Sequence, residues 1–157
     1  MGKVRPVFVC NSPEDSELAN SYVSALRERG VDVWHDENLT DDWVLSDETR
    51  DQIKSRPAFM VMMSADTEES LRVGKEIMVC LEYLVSDDQR VFLPVRIGDC
   101  RVPRFMQGFR RVDAFELSMD AAVDQIIDVL TMPPSLSGRA VLGYLFGVLE
   151  DEKGQPS

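Results

Sequence analysis

Side chains able to do chemistry are few and scattered along this 157-residue chain. His35 is the only histidine, so any histidine-based nucleophilic triad would rest on it alone. It closes the run Val-Asp-Val-Trp-His at 31–35, where it reads either as a ligand contact or as a half-exposed strand end. Cys10, Cys80 and Cys100 are odd in number and far apart. That arrangement suits neither a disulfide framework nor a zinc site, so each reads as a small, reduced, buried thiol, and no metal centre is expected. Arg72 precedes Glu76 by one helical turn, a spacing that an ordinary surface ion pair also satisfies. Familiar phosphate cradles are missing. Cys10-Asn11-Ser12-Pro13 stands where a dinucleotide fold carries GxGxxG, and no Walker lysine loop occurs. A phosphoacceptor domain would end its third strand in aspartate; here the residues are Met62-Met63-Ser64.

The elements that must position these residues follow from patterning. Residues 4–10 (VRPVFVC), 31–35 (VDVWH), 58–63 (AFMVMM) and 91–97 (VFLPVRI) are short apolar runs that read as strands, with a fifth, short one near 111–114. Pro94 points to an edge or a bulge in the fourth. Between them lie helical patterns. Leu18, Tyr22 and Leu26 make an apolar stripe that Gly30 ends; a weaker helix covers 44–55. Val73, Ile77, Cys80, Leu81 and Leu84 face inward on the helix that opens at 67–70, and 118–130 forms the last helix. Five alternations of strand and helix predict an α/β fold, a five-stranded parallel sheet with helices on both faces. Ligands then bind at the carboxyl ends of the strands, just after Cys10, His35, Met63 and Ile97. After Pro133-Pro134 comes an extension, 133–157, whose run RAVLGYLFGVL at 139–149 predicts an apolar helix followed by a frayed tail. That helix reads as packing on the domain's own flank, as docking a partner, or as the start of a linker.

Several segments in this order resemble Toll/interleukin receptor (TIR) domains, most closely as bacterial members write them. They are Val7-Phe8-Val9-Cys10-Asn11 with the acidic stretch after it, Gly30 to Asp36 leading into the BB loop, Met60 to Ser64, Ser70 to Glu76 (SLRVGKE), Val91 to Ile97 with Asp99 to Pro103, and Arg111-Val112-Asp113. The resemblance covers about residues 4–130, so it implies a flavodoxin-like TIR domain over 1–132. It also implies one of two roles. One is cleavage of NAD to nicotinamide and ADP-ribose or its cyclised form, with NAD as substrate and no separate cofactor, in a bacterial immune or signalling response. The other is non-catalytic assembly as an adaptor. By register the functional glutamate is Glu76, and Cys10, Asn11, His35, Asp36, Trp43 and Arg72 are candidates for substrate binding. This chain departs from the family in three places. Arg72 stands where an aromatic is usual and either holds a phosphate or pairs with Glu76. Cys10-Asn11 replaces a serine and an aromatic. The loop lacks its usual glycine, so Trp43 either supplies the missing aromatic or anchors the loop.

Charge is uneven. The net is −11 at 44% apolar and 29% charged residues, which argues against a nucleic-acid footprint or an anionic membrane surface. No apolar run reaches the roughly 20 residues of a membrane span, and the first residues lack a signal-peptide core, so a cytoplasmic protein is expected. Residues 36–51 carry seven acids against Arg50, and 96–111 carry five arginines against Asp99. These are either two solvated faces or two complementary ones. In the second case other TIR domains are the partners, and the active form is a homo-oligomer built through 36–51 and 96–111.

Overall fold

The computed structural model describes residues 3–36 and 44–134. Four strands, β1 (Val7–Cys10), β2 (Val33–Trp34), β3 (Ala58–Met63) and β4 (Val91–Arg96), form one parallel sheet in the order β2-β1-β3-β4. The helices between them are α1 (Ser16–Glu28), α2 (Asp47–Ser55), α3 (Leu71–Ser86) and α4 (Met119–Thr131). Register runs Val33 to Val7 to Ala58 to Val91 across the sheet.

The expected fifth strand shrinks to a single bridge between Val95 and Val112. Arg96 N–H donates to the Val112 carbonyl at 2.9 Å, and Val112 N–H donates to the Pro94 carbonyl at 3.0 Å. In a parallel ladder the next donor on that edge of β4 would come from position 94, and proline has no N–H. Pro94 therefore truncates the outer edge, and only Val112 of the polar run around it is apolar enough to add a rung. The second strand is also shorter than the pattern predicted, because Asp32 and His35 flank only two paired residues.

Alternation along the strands splits the interior in two. Val7, Val9, Met60, Met62, Leu93 and Val95 pack against α1 and α4 through Val23, Leu26, Val123 and Ile126. Phe8, Cys10, Phe59, Val61, Met63 and Phe92 pack against α2 and α3 through Ile53, Val73, Cys80 and Leu84. On this second face an aromatic row crosses the strands, with ring centroids 4.8 Å apart for Phe8–Trp34, 5.3 Å for Phe8–Phe59 and 5.7 Å for Phe59–Phe92.

Helix ends follow local chemistry. Ser46, Ser70 and Ser118 cap α2, α3 and α4, each side chain accepting from the N–H three residues on. Gly30, at φ +84°, closes α1 in the left-handed conformation. The apolar run 139–149 lies outside the described residues. Among those described, no helix is long and apolar enough to cross a membrane.

Leu93 is fully buried in the first core. Leu93→Ala is expected to cost about 3 kcal/mol in urea denaturation, whereas Leu18→Ala, on the exposed side of α1, should move stability by less than about 0.5 kcal/mol. Equal losses at the two sites would contradict this packing.

Candidate functional site

The site is assembled where β1 and β2 end. Cys10 closes β1 with its side chain on the α2–α3 side, because it lies two residues on from Phe8. The thiol lies beside the Glu76 carboxylate, which reaches down from α3. Glu76 is 2% exposed. It lies in the same inward stripe as Val73 and Cys80, three or four residues from each, and so breaks an otherwise apolar face.

Arg72 stands one turn before it and is also buried. Its Nε donates to Glu76 Oε2 at 2.8 Å, and its Nη2 donates to Asp36 Oδ2 at 3.0 Å, with Thr49 Oγ1 of α2 at 3.5 Å. One guanidinium thus bridges two carboxylates from different elements. The Arg72–Glu76 pair exists, but it is an interior pair rather than the surface one its spacing equally allowed.

His35 is buried too, not a half-exposed strand end. Its Nε2 lies 2.7 Å from Asn11 Oδ1, while Asn11 Nδ2 donates to the Ser12 carbonyl at 2.7 Å. With the amide nitrogen spent on Ser12, the Asn11 oxygen accepts, and His35 Nε2 carries the hydrogen. Arg72 thus links Asp36 to Glu76, Cys10 lies beside Glu76, and Asn11 and His35 form a buried pair of their own. Trp43 lies outside the described residues.

Electrostatics set the protonation states. Burial pushes the Glu76 carboxyl above its ordinary range, while hydrogen bonds from Arg72 and Cys10 pull it back. Burial, reinforced by the negative charge of Glu76, raises the Cys10 thiol well above normal. Cys10 is therefore a neutral thiol rather than a nucleophile. Arg72 is held firmly protonated by its two carboxylate partners.

Sequence reasoning missed three polar residues. Thr49 touches Arg72, and its Ser46-x-x-Thr49 spacing is the cap of α2. Asp15 accepts from Ser12 Oγ at 3.0 Å and from Ser64 Oγ at 2.5 Å, tying the loop after β1 to the end of β3. No spacing in the chain announces that pairing across 49 residues. A cleft of about 110 Å³ borders α3 at Ser70, Gly74 and Ile77, and is closed by Met63, Phe105 and Met106; neither Arg72 nor Glu76 lines it.

The arginine-rich segment needs a correction. Arg96 donates to Asp113 at 2.7 Å and lies over the Phe115 ring. Arg111 pairs with the same Asp113 at 3.0 Å, and Arg101 pairs with Glu68 at 3.1 Å. Three of the five arginines thus have acidic partners that the linear segment did not contain, because folding carries Glu68 and Asp113 to them. Among the described residues no group of three or more histidine, cysteine or acidic side chains is placed to hold a metal ion.

A parallel α/β sheet with a buried carboxylate at its strand ends defines the class. The family model for the TIR domain matches residues 7–127, and the chain belongs to that family. Among solved structures, the TIR domains in "Structure of the activated Roq1 resistosome directly recognizing the pathogen effector XopQ" are similar at a TM-score of 0.53 and 16% identity, covering 93% of this chain and 98% of that one. At that identity the likeness is one of fold. No curated protein matches the chain.

The raised Glu76 carboxyl has a sign that can be measured. Folded Glu76 holds its proton more tightly than unfolded glutamate, so its contribution to stability is complete below the ordinary value of 4.5 and is lost as pH rises through the higher native value. Urea denaturation of wild type and Glu76→Gln from about pH 4 to about pH 8 should show the wild type losing ground to the variant as pH rises. A wild-type advantage that grows with pH would mean that Arg72 outweighs burial.

Proposed function

We propose that this TIR domain cleaves NAD through Glu76, releasing nicotinamide and ADP-ribose or its cyclised form, and that self-association switches it on in a bacterial immune or signalling response. The observation that carries the reading is the buried Glu76 carboxylate, joined through Arg72 to Asp36 just after β2 and lying beside Cys10 at the end of β1, the place where parallel sheets bind ligands. The chemistry asks for one such group. Nicotinamide departs as a neutral base, so the leaving group needs no proton. The charge that develops is a ribosyl oxocarbenium cation, which a nearby carboxylate stabilises. Water then attacks the ribose carbon, or a nucleophile of the ADP-ribose moiety does so and closes a ring.

Self-association suits the distribution of charge, with seven acids in the sequence segment 36–51 and with Arg104 and Arg110 exposed after β4. The similar TIR domains come from an activated resistosome. Head-to-tail contacts between unlike patches can propagate.

Incubation with NAD at high protein concentration, or on a clustering scaffold, tests the catalysis. Nicotinamide release is expected, with Glu76→Ala lowering it by about 100-fold or more. No release from clustered wild type would leave the domain an adaptor. Analytical ultracentrifugation tests the assembly. Arg104→Glu with Arg110→Glu should reduce oligomer size, and added salt should do the same to wild type; unchanged size in both would remove the charge-based contact.

A further inference from the structure

We infer that Arg72 is a positioning residue that holds Glu76 away from substrate, and that the hold depends on Asp36 and Thr49 staying in place across from α3. This inference rests on the assignment of Glu76 as the reacting carboxylate. In the described structure that carboxylate is 2% exposed, held by Arg72 Nε, and lies beside the Cys10 thiol. A ribose cannot approach it there. The group that must move first is Arg72, whose guanidinium spans three elements: Glu76 on α3, Asp36 just after β2, and Thr49 on α2.

The geometry makes the hold divisible. Nε serves Glu76 and Nη2 serves Asp36 and Thr49, so the planar fork is fixed at both ends and cannot turn while both ends are occupied. If Asp36 or α2 shifts away from α3, the Nη2 end is freed, and the guanidinium, left with Glu76 as its anchor, can turn about that one contact. Any contact that displaces the end of β2 or the exposed side of α2 thereby loosens Glu76, although neither segment touches its carboxylate. A lysine would do this less well, since its ammonium has three donors but lacks the rigid planar fork that spans the two carboxylates.

The experiment compares wild type, Arg72→Lys and Arg72→Gln in dilute and in clustered form, with two readouts. The first is nicotinamide release. Arg72→Gln should cleave NAD about tenfold faster than wild type when dilute, and gain less on clustering, because a larger fraction of molecules is already competent. The second readout needs no activity: the rate of alkylation at Cys10, followed by peptide mass spectrometry, with Cys80 as an internal control. Both thiols are buried, but only Cys10 lies against Glu76. Arg72→Gln should label faster at Cys10 with Cys80 still protected, and Arg72→Lys should fall between it and wild type.

Several results overturn the inference: Cys10 labelled no faster than in wild type, Cys10 and Cys80 labelled faster together, Arg72→Lys as reactive as Arg72→Gln, or slower cleavage by dilute Arg72→Gln while clustered wild type is active. Selective labelling of Cys10 with no nicotinamide from any form upholds the hold on Glu76 and removes the NAD reading instead.

Discussion

The site hangs on β1. This strand is only four residues long, but it is bonded to β2 on one edge and β3 on the other, and all four side chains are buried. A strand held on both edges cannot slip by one residue without exchanging its two faces. Phe8 is locked by ring stacking against Trp34 and Phe59, so Cys10 must lie on the same side, beneath α3. The thiol then meets Glu76, and the next residue, Asn11, leaves the sheet beside His35. The cluster is a consequence of register in the middle of the sheet.

Such a cluster is tolerated because it is satisfied. A lone buried carboxylate would be protonated or expelled, and a lone buried guanidinium would be worse. Here Arg72 and Glu76 answer each other, Asp36 and Thr49 occupy the other arm, and Cys10 lies beside the carboxylate. Interior pairs of this kind rarely add stability over apolar packing, since desolvation consumes most of the attraction. Their cost makes sense at a functional position, where a carboxylate kept out of water can later meet a cation.

Charge looks different in sequence and in space. Along the chain the acids and arginines fall into separate blocks, which suggested two complementary faces. In the fold, Arg96, Arg101 and Arg111 are matched by Asp113 and Glu68, so much of the basic block stitches the region after β4 together. What remains for another molecule is narrower than the linear count implies.

Patterning alone determined the order of strands and helices, the inward face of α3 and the glycine stop, because each depends on residues within a turn or two of one another. The resemblance of several segments pointed to the TIR family and, by register, to Glu76, whose burial in an otherwise apolar face of α3 only the fold showed. The loss of the fifth strand was half legible, in Pro94, but its extent depended on which edge of β4 the missing N–H faced. Only the tertiary structure decided that Arg72 and Glu76 pair in the interior, that His35 is buried against Asn11, and that Thr49, Asp15 and Ser64 belong to the polar framework. The long-range partnerships at those positions join segments 23 to 49 residues apart, and no local pattern encodes a distance between segments that folding has yet to bring together.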